Sequence, residues 1–385
     1  MNQKVNKATP WVVLSISLIL TSGMAINGTL PLIKEDLSLT QTQSELLGTI
    51  PSLTVLLCVL LSTFIIKKIG MKKTVLMGLI LVAFGGTLPV LTPNSYPVIL
   101  ASRLILGAGL GCYNSSAVNY INELFEGKQR MSLLGMRNSM ESIGQMVLTF
   151  ISGLLIVLGW QYSYLVYLSA IPVAILFYFF VPDVKKEKVS EKKGARITFL
   201  PIISVLFASI MVMNSIAIAV RFPALAVELK GASYNTSNFL AMMPILGIVA
   251  GFMFQWLTSV LKHRILYLAV LINTFANFFI ALSSNSFTLL VTGLLISSIP
   301  VAWILPYLFN HIEDIARGMD TRLLTSFIFL GCNFGVLMAP VLMRAIEMLG
   351  GASDLYFPFV FFTGMFVVLL LLLVTIYNKV VKKSS

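Results

Sequence analysis

Charge is scarce in this sequence, and histidine and cysteine are scarcer. Of 385 residues only 11% are Asp, Glu, Lys or Arg, two are His and three are Cys, while 57% are hydrophobic. An ordinary soluble domain carries about 25% charge, and with a mean hydropathy of +0.92 the shortage excludes a water-soluble globular protein. Cys58, Cys112 and Cys332 sit inside apolar runs without a Cys-x-x-Cys or Cys/His pairing, so no metal site is expected and they read as packing residues. There is no Gly-x-x-x-x-Gly-Lys-Ser/Thr phosphate loop, so ATP does not drive the protein. His-Glu-x-x-His is absent, no deep serine or aspartate pair is placed as in a membrane protease, and His263 and His311 fall at the cytoplasmic rim. The expectation is therefore no enzyme and no cofactor.

What the chain has instead is long apolar runs. At roughly 20 residues per membrane helix, its length holds about a dozen. Hydropathy places spans over about residues 10–32, 43–66, 74–92, 97–122, 133–158, 162–182, 198–223, 237–260, 265–283, 287–310, 323–347 and 356–378. The first run, from Trp11 to about Ile33, follows Lys4 and Lys7 as a signal peptide would, but it is too long and lacks a cleavage pattern. An even span count puts both termini on one side. With that side cytoplasmic, inside segments collect Lys4, Lys7, Lys67, Lys68, Lys72, Lys73, Lys128, Arg130, the basic residues from Lys185 to Arg196, Lys262, Arg264, Arg317, Arg322, Lys379, Lys382 and Lys383. Only Lys34 and Lys230 fall in outside loops, as the positive-inside rule requires. The net charge of +12 is thus a marker of topology and not of a nucleic-acid partner.

The longest polar segment sits at the midpoint. It divides the chain into an N-terminal six-helix half (1–182), a cytoplasmic linker (183–197) and a C-terminal six-helix half (198–385). This is the layout of a duplicated transporter, and the basic linker also suits anionic lipid.

Local residues resemble the major facilitator superfamily. Between spans 2 and 3, Thr63-Phe-Ile-Ile-Lys67-Lys68-Ile-Gly70-Met-Lys72-Lys73 is similar to that superfamily's loop Gly-x-x-x-Asp-Arg/Lys-x-Gly-x-Arg/Lys-Lys/Arg, with Thr63 for the first Gly and Lys67 for the acidic residue. The resemblance implies a gating role for Lys67, Lys68, Gly70, Lys72 and Lys73, without the usual acidic relay. Lys262-His263-Arg264 is a shortened echo in the second half. In span 4, Arg103-Leu-Ile-Leu-Gly107-Ala-Gly109-Leu-Gly111 resembles the family's Arg-x-x-x-Gly helix, and Gly159-Trp160-Gln161-Tyr162-Ser163-Tyr164 resembles its Gly-Trp-Arg-x-x-Phe turn. The antiporter Gly-Pro pair would fall on Leu148 and Thr149 and is absent. Residues 28–53 look like the first-to-second-span region of the cyanate permease group. The resemblance implies an all-α membrane protein, twelve transmembrane helices in two six-helix halves (the major facilitator fold), with spans 1, 4, 7 and 10 around a central cavity.

A charge in hydrocarbon costs about 2.5–3.5 kcal/mol on insertion scales, so depth selects candidates. Arg221 and Arg344 lie near the outer ends of spans 7 and 11 and are expected to snorkel. Arg103, roughly 10 Å from the outer surface, and Glu141, roughly 12 Å from the inner one, are the deep charges by the helical rise. Arg103 either orients a polar or anionic group of a solute or is a hydrogen-bonding strut. Glu141 either carries a proton or pairs with Arg137 one turn away, at the cytoplasmic gate. Polar stripes at helical spacing add Asn27, Tyr113, Asn114, Asn214, Trp303, Tyr307 and Asn333 as solute contacts, or as glue between helices, the role expected of Asn273 and Asn277. The glycines Gly107 and Gly111 read as close-packing positions. Pro51, Pro223, Pro244, Pro300, Pro306 and Pro340 mark breaks or bends.

The expectation is a secondary transporter, monomeric, in a bacterial cytoplasmic membrane. It would move a small polar or anionic organic solute by alternating access, using a proton or other ion gradient. Proton-coupled efflux of amphipathic compounds is the competing expectation, suggested by 18 Met and 26 Phe, which repack around varied ligands.

Overall fold

The computed structural model describes residues 6–114, 116–184, 199–231, 234–316, 319–350 and 354–384, and among these there is no strand. Among the described residues, eleven stretches are long and apolar enough to cross a membrane. One of them, Ser237–Ala281, has 45 residues, about 67 Å of helix at 1.5 Å per residue and more than twice the hydrocarbon thickness. It is two spans, Ser237–Leu261 and Ile265–Ala281, reversed at a short turn Lys262–Arg264. Lys262 holds a positive φ of 51° there, which ends the helix. The count is then twelve, as the sequence indicates. The central linker lies outside the described residues from 185 onward.

Two compact units form, Met1–Lys193 with Asn235–Ala241, and Gly194–Tyr234 with Met242–Ser385. Each repeats the same pairings: span 1 (Thr9–Asp36) packs on span 5 (Gly127–Leu158) as span 7 (Phe199–Lys230) packs on span 11 (Thr321–Gly350). Likewise span 3 (Met71–Leu91) packs on span 4 (Tyr96–Leu124) and span 6 (Trp160–Phe180), as span 9 packs on span 10 (Phe287–Asn310) and span 12 (Phe357–Ser384).

In lipid there is no water to drive helices together, so small residues that allow close approach do much of the work. A Cβ on Gly144 would collide with the Leu18 carbonyl of span 1, and one on Gly107 with the Pro51 carbonyl of span 2. In the second unit a Cβ on Gly335 would sit 2.5 Å from the Ser209 carbonyl, and one on Gly293 2.8 Å from that of Ala276. These are backbone atoms that cannot step aside.

Turn chemistry sets the span ends. Thr40 and Gln43 form a capping box, Gln43 N donating to Thr40 Oγ1 at 3.3 Å and Thr40 N to Gln43 Oε1 at 2.9 Å. Gly70 (φ 91°) and Gly159 (φ 127°) supply the backbone that the turns between spans 2 and 3 and spans 5 and 6 require. Beyond Gly159, the Trp160 indole donates to Asp36 Oδ2 at 2.9 Å, pinning the second of these turns to the end of span 1.

Replacing Gly144 with Val should lower the thermal unfolding midpoint of the detergent-purified protein, at a cost of about 1–3 kcal/mol for overpacking. Gly247→Ala, with nothing within 4 Å of its added Cβ, should be neutral or slightly stabilising. Equal midpoints for the two variants would refute the close-packing role.

Candidate functional site

Span 1 is not one helix. It runs Thr9–Leu20, unwinds through two tight turns at Ser22–Met24 and Asn27–Thr29, and resumes as Leu30–Asp36. The next span is broken as well, Gln41–Thr49 giving way to Pro51–Ile69. Pro51 has no N–H, which orphans the carbonyl four residues earlier, that of Leu47. Arg103 repairs both breaks. Its Nε donates to Leu47 O at 2.8 Å, its Nη2 to Gly23 O, and its Nη1 to the Tyr167 hydroxyl at 2.6 Å. Tyr167 in turn donates to Ser22 O at 3.2 Å, and its ring occupies the space that a side chain on Gly86 would fill. With 0% of its surface exposed, Arg103 is fully enclosed by protein and ties span 4 to spans 1, 2 and 6.

Asn27 is buried on the second turn of the break, its Nδ2 reaching Met24 Sδ at 3.6 Å. Its Oδ1 has no hydrogen-bond partner among the described residues, nor does the buried Tyr113 hydroxyl in span 4. Asn114, next along the chain, is half-buried where the helix turns. Glu141 meets Arg137 at 2.5 Å on its own helix, and its backbone carbonyl accepts from Thr21 Oγ1 at 2.9 Å at the head of the span 1 break. Arg137 also donates to Asn138 Oδ1 at 3.0 Å. In the loop between spans 2 and 3, Lys67 lies over Phe64 at 5.9 Å and Lys72 over Tyr178 at 5.3 Å. Lys68 and Lys73 are exposed. Gly70 forms the turn, 3.9 Å from Asp183 Oδ1 measured from a would-be Cβ.

The second unit turns most of its candidates inward, onto protein. Asn214 and Asn277 exchange reciprocal amide hydrogen bonds at 2.9 Å and are fully buried, so Asn214 joins spans 7 and 9 as glue. Trp303 donates from its indole to Ala250 O at 2.8 Å, tying span 10 to span 8. Tyr307 bonds His263 and stacks on His311. Asn333 is half-buried and its Nδ2 donates to Phe329 O of its own helix at 3.0 Å.

One expectation fails outright. Arg221 does not snorkel. It is 1% exposed, its Nη1 sits 2.7 Å from Glu347 Oε1 and donates to Leu355 O at 3.2 Å. Arg344 does remain 54% exposed and reaches Glu347 Oε2 at 3.3 Å. Depth measured along one helix cannot reveal a partner 126 residues away. Glu347, 4% exposed, was missed altogether, although the Arg344/Glu347 spacing inside an apolar stretch was a visible signal. Glu45 was missed too. It is fully buried at the start of span 2 and accepts from Gln41 Nε2 at 2.8 Å.

Two units of long apolar helices that repeat the pairings of spans 1 with 5 and 3 with 4 and 6 define a polytopic membrane protein. The sequence profile of the Major Facilitator Superfamily matches residues 12–285, and the chain belongs to that superfamily of membrane transporters. The bacillibactin exporter of Bacillus subtilis (strain 168) is 28% identical over 118 residues, 29% of this chain and 29% of that protein. Among solved structures, the POT family transporter PepTSo superposes with a TM-score of 0.76 at 10% identity, covering 99% of this chain and 100% of its own. The human organic anion transporter MFSD10 (TETRAN) gives 0.67 at 15% identity over 96% and 100%. A bacterial homologue of the human lysosomal transporter Spinster gives 0.66 at 15% identity over 90% and 86%. These likenesses show the fold. None of them shows the cyanate permease similarity read from spans 1 and 2.

Removing one partner of a buried ion pair leaves an uncompensated charge at a cost of about 3–5 kcal/mol. Glu347→Leu alone, which takes the carboxylate away from buried Arg221, should therefore strongly destabilise the protein in denaturant titrations. The double variant Arg221→Met/Glu347→Leu should recover most of the loss. Additive losses in the double variant would show that the two charges do not depend on each other.

Proposed function

We propose that the protein is a proton-coupled secondary transporter that moves a small polar or anionic organic solute by alternating access. It would work as a monomer in the bacterial cytoplasmic membrane, with both termini cytoplasmic. The observation that carries this reading is the unwound segment of span 1 with the orphaned Asn27 Oδ1 on it, together with the orphaned Tyr113 hydroxyl in span 4. Breaks in membrane helices occur where the backbone meets protein or a wet cavity, and a buried polar atom left unpaired costs about 1–3 kcal/mol. Asn27 Oδ1 and the Tyr113 hydroxyl are such atoms, and a solute with hydrogen-bonding groups would satisfy both. Asn114 and Asn333, each half-buried, are the further candidate contacts. An anionic solute agrees with what the human neighbour MFSD10 is named for.

Glu141 is the proposed proton carrier. It is part-exposed, sits one turn from Arg137 and touches the head of the span 1 break through its own backbone, so a change in its charge would be felt at the break. The gating set remains Lys67, Lys68, Gly70, Lys72 and Lys73, with Arg137 as the partner that releases or holds the carboxylate.

Export is the second reading, supported by the match to the bacillibactin exporter. A larger amphipathic cargo driven out in exchange for protons would use the same site.

In proteoliposomes, Glu141→Gln should abolish acceleration by a proton gradient while solute exchange at equal pH persists. If gradient-driven transport survives intact, Glu141 does not couple protons. A thermal-shift screen of organic anions, sugars, nucleosides and cationic dyes separates the two cargo readings, since a ligand stabilises the state it binds. The stabilising compound should lose its effect at least five-fold in Tyr113→Phe and Asn27→Ala. Unchanged stabilisation in both variants would remove span 1 and span 4 from the site.

A further inference from the structure

The chain has two histidines, and the fold brings them together. His263 lies in the turn between spans 8 and 9, and His311 immediately follows span 10. Their ring centroids are 5.5 Å apart. Tyr307 joins them, its ring stacked on His311 at 4.3 Å and edge-on to His263 at 6.0 Å. Its hydroxyl meets His263 Nδ1, and its backbone carbonyl meets His311 Nδ1 at 3.0 Å.

The hydrogen-bond chemistry of this trio is asymmetric. A carbonyl only accepts, so His311 Nδ1 must carry its hydrogen and donate, which fixes that tautomer and leaves Nε2 as the position to gain a proton. A tyrosine hydroxyl both donates and accepts. It donates to neutral His263 and accepts from the protonated ring, so this contact holds in either state with the hydroxyl hydrogen reversed. Two imidazolium charges at 5.5 Å centroid spacing would repel, so a first proton taken up would disfavour a second.

Neighbouring elements add charges of both signs. Lys262 and Arg264 flank His263 and are exposed, Glu313 and Asp314 follow His311 and are exposed, and Asp320 and Arg322 belong to the head of span 11. Tyr267 lies one turn into span 9, and the described start of span 7, from Phe199, brings no charge until Arg221. The net field is mixed, and imidazole is the side-chain class best suited to exchange a proton with its surroundings.

We propose that His263, Tyr307 and His311 form a proton-binding site, separate from Glu141, whose occupancy makes transport respond to the pH on the face that carries the turn between spans 8 and 9. The mechanical link is short. Pro306 interrupts the hydrogen bonding of span 10 just before Tyr307, so the last turn of that helix can shift relative to the turn holding His263 when the hydroxyl reverses. Assigning that face to the cytoplasm rests on the orientation proposed above.

Having only two histidines makes the test direct. In the full-length protein in lipid nanodiscs, ring-15N-labelled histidine gives two signals, assigned with His263→Asn and His311→Asn, or with the Gln variants where an Asn variant does not fold. The wild type should titrate in two steps separated by at least one pH unit, and each single-histidine variant in one step between them. Tyr307→Phe should move the His263 midpoint by at least half a unit. Rings that titrate with the same midpoints whether or not the other is present would overturn the proposal. Proteoliposomes with pH clamped separately on each side then read the consequence. The pH dependence of wild-type transport should follow the cytoplasmic side and flatten at least three-fold in His263→Asn. A response that follows the opposite side and still flattens keeps the proton site and overturns the orientation. A response that does not flatten from either side overturns the link to transport.

Discussion

In a bilayer every backbone N–H and C=O must find a partner inside the protein, and the first unit is organised around the places where its helices fail to supply one. Span 1 unwinds at Ser22–Thr29 and span 2 loses a hydrogen bond to Pro51. A single guanidinium answers both failures, because Arg103 reaches Gly23, Leu47 and Tyr167 together. The glycine contacts follow from this. Gly107, one turn beyond Arg103, lets span 4 come close enough to span 2 for the side chain to reach across. The second unit meets the same demand differently, with an amide pair (Asn214 and Asn277), an indole on a carbonyl (Trp303 to Ala250) and a buried ion pair (Arg221 with Glu347). The two units share the pairings of spans 1 with 5 and 3 with 4 and 6, and not their polar chemistry, and the orphaned acceptor and hydroxyl of Asn27 and Tyr113 belong to the first.

Much of the architecture was legible because its causes are local. Apolar run length gives the spans, and Gly70 and Gly159 announce turns because few other residues tolerate those backbone angles. The reversal at Lys262–Arg264 was readable from three consecutive basic or titratable residues in an apolar background, even though the turn itself is only three residues long. The Arg-x-x-x-Gly pattern in span 4 pointed to Arg103 and Gly107, both of which the fold sets against span 2.

The polar partners were not legible, because they are long-range. Arg103 bonds residues 56, 64 and 80 positions away. Arg221 looked like an interfacial side chain by depth alone, and only the approach of span 11 makes it an interior one. Polar stripes identify a face of a helix but do not say whether that face meets a neighbour or water. Asn214 and Trp303 met neighbours. Glu141 and Arg137 are the exception: their contact was foreseeable because both lie on one helix, four residues apart. Along the chain the histidines are separate rim residues, since nothing connects position 263 to position 311 except the folding of spans 9 and 10 back upon each other.

The three-way grip of Arg103 also has a bearing on how the chain is made. Spans leave the ribosome in order, so when span 4 inserts, Leu47 and Gly23 are already in the membrane, but Tyr167 is still two helices away in the exit tunnel or beyond it. Until span 6 arrives, one end of the guanidinium lacks its phenol and the Ser22 carbonyl lacks its donor. The first half therefore cannot settle helix by helix. It has to wait for its sixth span, so the three-way grip closes only once the chain as far as Tyr167 has been inserted.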